Sequence, residues 1–561
     1  MSRADRLPVV FLWHMHQPCY RDPEDGRYHQ PWTYLHGIKD YTDMAAHLEA
    51  HEGMRAVVNF APVLLDQLAE YAEAVAAHLH EGAPLPDPLL AALAEGAPPA
   101  GEAREAVVRA CLRANEHRMI ARFPAYARMV RIAREALAAR AGVAWLGDAF
   151  VEDLVVWYHL AWMGEAVRRA DPRLRDLMAR EGGFGAAERR LLLERVGEQL
   201  AGIPGRYRRL WEAGRVELAA SPWGHPMLPL LLDFAAAREA WPEAALPASK
   251  GYPGGEARVR WHLAEARRAF ARHFGREPAG CWPSEGGVSE AALRLVGEAG
   301  FRWAASGEGV LRNSLGGAPE GRDWVHRGYR HGTGPALFFR DDGLSDLIGF
   351  QYAAREPAEA VADLVGHLEN IDAATAGRPG RVVAVILDGE NAWEHYAENG
   401  FPFLDRLYGA LEDHPRLRPA TFEGLLEEGL PLAPLGRVVA GSWVYGTFST
   451  WMGDPDKNRA WDALVAAKQA FDEAAPALGG AAREDAVRRL AVCEGSDWFW
   501  WYGDYNPPEA VRDFDALYRH HLAALYRALG REVPQGLAAP LGEGHGAPAG
   551  GGTMRPGREG A

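Results

Sequence analysis

Lysine is scarce in this sequence: Lys39, Lys250, Lys457 and Lys468 stand alone, and arginine carries nearly all the positive charge. With abundant alanine and glycine, that bias reads as GC-rich coding rather than as function. Cysteine is equally rare, and Cys19, Cys111, Cys281 and Cys493 lie far apart. Their spacing excludes a disulfide framework or a cysteine-based zinc site, so a reducing cytoplasm is the expected compartment. No apolar stretch approaches the roughly 20 residues of a membrane span, and Met1–Leu12 is too short and too polar at its start for a signal peptide. Basic runs are missing, and the formal charge is −15, so neither nucleic acid nor an anionic membrane is an expected partner. No internal repeat is detectable.

What is present points to a large enzyme. With 561 residues the chain exceeds one ordinary domain, although a barrel with insertions can absorb more than about 400. Apolar residues make up 48% and charged ones 24%, which gives a globular chain ample core. The 19 tryptophans are the compositional oddity, and many lie beside acids, histidines or glycines in loop-like contexts. Sugar-binding clefts use indole in this way, because the apolar faces of pyranose rings stack on it while hydroxyls bond to polar neighbours.

The most telling stretch runs from Arg381 to Glu394. Its apolar, mostly β-branched run reads as a strand buried on both faces, and it feeds directly into Asp388-Gly389-Glu390. Barrel folds place their chemistry at such strand ends, and Trp393 offers an apolar face nearby. A second acid, Glu285, follows Trp282 in a turn-rich stretch. Two carboxylates on separate loops, each flanked by tryptophan, suggest glycoside chemistry.

Taken in order, Leu7–Leu12 reads as a first strand ending in His14 and His16, which share a face because they are two apart. The pair suits either substrate or a metal at a barrel rim, although spacing shows no third ligand. Ala56–Phe60 reads as a second strand. The Ala-rich segment from about 66 to 210 is too long for a connection and reads as an inserted helical subdomain. Val216–Ser221 is a third strand, and His225 repeats the theme of a histidine after an aromatic residue. Further strands over Phe301–Ser306 and Ala336–Asp342 alternate with helices over Glu256–Phe274, Ser289–Ala299 and Pro357–Ala373, a βα pattern. Beyond about residue 430 come an aromatic stretch, Gly441–Trp451, and three helices. Residues 534–561 have almost no core-forming content and read as a disordered tail.

In this order His14-Met15-His16-Gln17-Pro18, Trp223-Gly224-His225-Pro226, Trp282-Pro283-Ser284-Glu285, Leu387-Asp388-Gly389-Glu390-Asn391 and Gly441–Trp451 with Asp497-Trp498 resemble the motifs of glycoside hydrolase family 57. The resemblance spans roughly residues 8 to 530. It implies an incomplete (β/α)7 barrel over residues 1–430, including the helical insertion, and an all-helical domain over 431–533. It also implies retaining chemistry on an α-glucan or maltooligosaccharide without a cofactor or metal. Carried over by position, Glu285 is the nucleophile and Asp388 the general acid/base. His14, His16, His225, Trp282, Glu390, Trp393, Trp443, Asp497 and Trp498 are the expected substrate contacts, while Trp451, Trp500 and Trp501 are expected to pack. The motif wording looks like the amylase and amylopullulanase type, cutting α-1,4 and also α-1,6 bonds. A 4-α-glucanotransferase or branching-type transglycosylase is the alternative, and a metal-dependent deacetylase-like or mannosidase-like enzyme using His14 and His16 is a more distant one. Such chemistry asks for an Asp388 raised by desolvation and a Glu285 kept ionised by His14, His16 or Arg340.

Overall fold

The computed structural model describes residues 5–139 and 142–546. Ten strands form one curled sheet: β1 (Leu7–Met15), β2 (Ala56–Phe60), β3 (Val216–Ala220), β4 (Gly280–Cys281), β5 (Trp303–Ser306), β6 (Tyr329–Arg330), β7 (Ala336–Phe339), β8 (Val383–Asp388), β9 (Leu417–Pro419) and β10 (Ala433–Pro434). The order is β10-β6-β7-β5-β4-β3-β2-β1-β8, with β9 beside the start of β1. Only β6 against β7 is antiparallel. The ring closes without a ladder between β7 and β8. Instead the Asp341 amide donates to the Ala384 carbonyl at 2.8 Å, and Arg340 Nε donates to the Ile386 carbonyl at 2.7 Å. Seven parallel strands, β1 to β5 with β7 and β8, therefore make an incomplete (β/α)7 barrel.

The period-2 alternation of the strands sets what faces inward. In β1, Val9, Phe11 and Trp13 join the core under the helices, while Val10 and Leu12 join the barrel interior. His14 continues that inward row. In β8, Val383, Val385 and Leu387 face the helices, whereas Ala384 and Ile386 face inward and Asp388 ends their row. Strand β4 is only two residues long, and a Cβ on Gly280 would lie 2.0 Å from the Trp303 indole. That glycine leaves room for the indole inside the barrel.

Under the same indole sits Glu217 of β3. Its Oε1 accepts from Trp303 Nε1 at 2.5 Å and its Oε2 from the Glu423 amide at 2.8 Å. Burial nevertheless pushes its carboxyl up to about 8. A folded-state pKa above the unfolded one means the associated stability is complete below the ordinary carboxyl range and is lost as pH rises through about 8. The stability of Glu217→Gln relative to wild type is therefore expected to climb by about 1.4 kcal/mol per pH unit between roughly pH 5 and 8. Denaturation midpoints of both proteins across that range test this, and a flat difference would contradict it.

Between β2 and β3 the helices run from Pro62–Glu81 to Ala186–Glu212. Several start on proline (Pro62, Pro88, Pro124, Pro172), where the missing N–H costs nothing, and Pro62–Glu81 ends on Gly82 in the left-handed region. After the barrel come helices Pro455–Ala474, Gly480–Cys493 and Pro508–Ala528. Among the described residues no helix is long and apolar enough to cross a membrane.

The stretch after residue 534 departs from its composition. Gln535–Ala538 form a 3-10 turn with Leu537 buried, and the Leu541 amide donates to Asp515 at 2.9 Å while Arg459 donates to the Leu541 carbonyl at 2.9 Å. Disorder expected from 534 is thus corrected as far as residue 546, because backbone groups there find partners on two helices. Residues 547–561 lie outside the described residues.

Candidate active site

At the C-terminal mouth of the barrel the inward rows of β1 and β8 end side by side, with His14 paired to Asp388 in register. Glu285 follows β4, four strands away in the sheet order, so the two acids face one another across the mouth. Between them lie three imidazoles. His14 stacks on His225 at 5.1 Å between ring centres, and His16 on His225 at 3.8 Å. Each ring is fixed from behind. Asn59 of β2 accepts from His14 Nδ1 at 2.6 Å and gives its own amide N–H to the Ala219 carbonyl at 3.0 Å. His16 Nε2 lies 2.8 Å from Asp497, and His225 Nδ1 lies 3.0 Å from Ser496 Oγ.

Glu285 itself sits in the left-handed region, at φ 58° and ψ 25°. His225 shares that strain at φ 55°. For side chains of this kind the conformation costs on the order of 1–3 kcal/mol each and persists only where neighbours enforce it. Here Trp443 enforces it twice: its backbone N–H donates to the Glu285 carbonyl at 3.1 Å and its indole N–H to Glu285 Oε2 at 3.0 Å. His225 is clamped by the Ser496 amide, which donates to its carbonyl at 2.9 Å. Both clamps come from the chain beyond residue 430.

Electrostatically the site favours protons on acids and removes them from histidines. Burial, then the charges of Asp497 and Asp388, pushes Glu285 up to about 8. Burial also raises Asp388, against the Asn391 amide that donates to its Oδ2 at 2.8 Å. Glu390 is raised well above the ordinary range, chiefly by burial, although the His16 amide donates to its Oε1 at 3.1 Å. His14 is lowered to about 3 and His225 is lowered strongly, each by burial first and by neighbouring imidazoles second. The expected opposition between a raised Asp388 and a depressed Glu285 is therefore replaced by two raised acids. The physical reason is that His14 and His225 are neutral, while Arg340 is committed to Asp342 at 2.8 Å, Asp346 at 2.6 Å and the Ile386 carbonyl.

His16, His225 and Asp497 offer atoms close enough together for a cation. The ring stacking does not suit one. A metal binds in the plane of an imidazole, and rings 3.8 Å apart at 25° present their nitrogens side by side rather than converging.

A model of glycosyl hydrolase family 57 matches residues 10–428. The chain belongs to that family. Among solved structures it is similar to the branching enzyme of the archaeon Pyrococcus horikoshii at 16% identity and a TM-score of 0.59, covering 93% of this chain and 89% of that one. It is likewise similar to the α-amylase AmyC of Thermotoga maritima at 13% identity and 0.55, covering 95% of each chain. The 4-α-glucanotransferase of Thermococcus litoralis gives 12% identity and 0.50, covering 93% of this chain and 60% of that one. At such identities these likenesses establish the fold. Comparison with curated proteins yields no match.

Of the residues that the family motifs single out, His14, His16, Glu285, Asp388, Glu390, Trp443 and Asp497 line one cleft. His225 and Trp282 are fully buried just beneath it, the Trp282 ring packing edge-on against Trp443 at 5.2 Å. Trp393 and Trp498 are placed differently from expectation. Trp393 is buried behind the Asp388 loop, its indole N–H donating to the Gly389 carbonyl at 2.8 Å. Trp498 is buried too and stacks on Tyr518 at 5.5 Å. Conversely Trp500 and Trp501, expected to pack, reach the cleft, where Trp501 stacks on Phe514 at 4.7 Å. Trp32, Arg113 and Phe350 also line the cleft without any sequence signal beyond residue type, and Trp162 joins them from the aromatic run over residues 157–162.

Proposed function

We propose that this protein cleaves glycosidic bonds of α-glucans with retention, Glu285 acting as nucleophile and Asp388 as general acid/base. The observation that carries this reading is Glu285 itself: a largely buried, conformationally strained carboxylate clamped by Trp443 and facing a second, partly buried acid in a cleft walled by indoles. Asp388 donates its proton to the glycosidic oxygen while a Glu285 oxygen attacks the anomeric carbon, giving a glycosyl ester and a free sugar end. Asp388, now ionised, takes a proton from the incoming hydroxyl, and the ester opens with a second inversion. His14 takes part as an acceptor: with its Nδ1 proton held by Asn59, its Nε2 lone pair is free for a sugar hydroxyl.

Two buried acids facing each other titrate as a pair, and the reactive form holds one proton between them. A bell-shaped pH profile of kcat/KM is thus expected, with its alkaline limb near pH 8, where the last shared proton leaves. Asp497→Asn removes the charge that contributes most to that shift after burial, so it moves the alkaline limb to lower pH. An alkaline limb unchanged in the variant would contradict the pairing.

Water as the acceptor gives a hydrolase of α-1,4 and α-1,6 linkages, which we take as the leading activity. A sugar hydroxyl as acceptor gives a transglycosylase, a reading to which the aromatic lining by Trp500, Trp501 and Phe514 lends support as a surface for an acceptor sugar. Incubation of the wild type with maltoheptaose and pullulan, with and without EDTA, distinguishes them. Short, EDTA-resistant products absent in Glu285→Ala and Asp388→Ala support hydrolysis. Products longer than the substrate move the assignment to transfer, and activity that survives either substitution refutes the site.

A further inference from the structure

We propose a second, structural site: Asp22, His29 and His520 bind one divalent transition metal of the zinc class and thereby fasten the loop after β1 to the helix Pro508–Ala528 beside the cleft. The three residues bring carboxylate and imidazole ligands from opposite ends of the chain. Asp22 Oδ2 lies 3.2 Å from His29 Nε2 and 3.0 Å from His520 Nε2, and the three ligand atoms all fall within 4.8 Å of one another. Ligand atoms about 2.1 Å from a tetrahedral zinc stand roughly 3.4 Å apart, so little movement is needed.

Three further features favour a cation over a simple ion pair. The Nε2 atom of His520 is buried and, at 3.0 Å from Asp22, is poorly aligned for a hydrogen bond to it. A nitrogen that points at a shared metal, rather than along the line to the oxygen, has this misalignment. The His29 and His520 rings meet edge-on at 63°, with centres 5.8 Å apart, so they are not stacked as the rings in the active site are. The carboxylate is also oriented from behind, since Asp22 Oδ1 accepts from the Glu24 amide at 2.7 Å and the Asp25 amide at 3.3 Å, leaving Oδ2 to the imidazoles. Glu24 Oε2 lies 4.0 Å from His520 Nε2 and is paired with Arg527.

The position gives the site its consequence. Asp22 and His29 belong to a loop closed by the Arg21–Tyr28 bridge, and the flanking Tyr20, Gln30 and Trp32 line the cleft. His520 belongs to the helix Pro508–Ala528, which packs on this loop, Phe514 meeting Tyr20 at 6.3 Å, and contributes Asp513 and Phe514 to the adjoining part of the cleft. A bound metal therefore locks the packing of loop and helix beside the cleft without touching the reacting atoms.

The test titrates Zn2+ alone into the EDTA-treated full-length protein by calorimetry, alongside thermal melts. The expected result is one equivalent bound with a rise in Tm, and loss of that equivalent and of the rise in His29→Gln and in His520→Gln. Circular dichroism verifies that each variant is folded. His16→Gln, in the catalytic cleft, is expected to keep both the equivalent and the rise. No Zn2+ uptake by the wild type at millimolar ion, or uptake undiminished in folded His29→Gln and His520→Gln, overturns the proposal. Because the readouts are binding and Tm, failure here leaves the glycosidase reading to its own test.

Discussion

Glu285→Gln and Asp388→Asn are each expected to lower kcat/KM on maltoheptaose by about 10³–10⁴-fold or more, and an activated substrate separates their roles. A general acid contributes about 10²–10⁴-fold by protonating a poor leaving group, whereas a nucleophile is needed whatever the leaving group. With an aryl α-glycoside whose phenolate leaves unaided, Asp388→Asn is expected to regain most of its first step and to accumulate the glycosyl ester. Azide, which needs no general base, then releases it as a glycosyl azide. Glu285→Gln regains nothing on the same substrate. Mass spectrometry of the trapped ester on Glu285 checks the assignment directly, and a variant at Glu285 that still turns over the aryl substrate would falsify it. The size of the effect follows from the setting: 10⁴-fold is about 5.5 kcal/mol of transition-state stabilisation, a large fraction of what a clamped and desolvated acid pair contributes.

The second large effect concerns stability and reaches the site indirectly. Glu494 is fully buried and accepts from Arg258 Nε at 2.8 Å and Nη2 at 2.8 Å, from Tyr252 at 2.5 Å, and lies 2.7 Å from His262 Nε2. Although burial works against it, the Arg258 charge and the His262 contact hold its carboxyl down at about 2. A depressed folded-state pKa means that this stability is present above the ordinary carboxyl range and is lost as pH falls toward about 2. Arg258→Ala strands the carboxylate and is expected to cost about 3–5 kcal/mol, while Arg258→Met with Glu494→Leu recovers part of it by replacing the pair with apolar volume, the rest being the cost of leaving Tyr252 and His262 without their acceptor. Denaturant midpoints of the single and double variants decide, and a double variant no better than Arg258→Ala would refute the account. The activity of Arg258→Ala is expected to fall as well. Glu494 immediately precedes the Gly495–Asp497 turn, whose Ser496 amide clamps His225 and whose Asp497 holds His16.

Much of this molecule follows from local pattern. The run from Val382 to Leu387 is apolar throughout because β8 is covered on both faces, by helices outside and barrel contents inside. A pattern of that length, ending in acids, identifies a central barrel strand and its catalytic rim. Helices such as Gly255–Phe274 and Pro357–Thr375 declare themselves through periodicity and their proline and glycine ends, within a residue or two of the expected bounds. The two-residue spacing of His14 and His16 likewise determines a shared face, because a strand repeats every two residues. Asp388 and the histidines of β1 were legible because each lies at the end of a recognisable run, whereas Glu285 stood out only as an acid beside Trp282 in a turn-rich stretch.

Only the tertiary structure decided the rest. Strand β4 has two residues, too few for any period, and it exists because β3 and β5 supply partners on either side. Helix Asp497–Trp501 is a single short turn whose successive side chains diverge by about 100°. No composition distinguishes the buried Trp498 from Trp500 and Trp501 at the cleft; the helix's docking against Pro508–Ala528 does. The proton on Glu285 depends on charges from Asp388 and Asp497, more than a hundred residues away in the chain, and on imidazoles that burial makes neutral. The cluster of Asp22, His29 and His520 joins opposite ends of the chain. Sequence by itself determined which residues stand at the barrel mouth as candidates for the chemistry, because strand ends and turns are local. Folding decided their protonation and their exposure, because both depend on neighbours that only the closed barrel and its helical cap bring together.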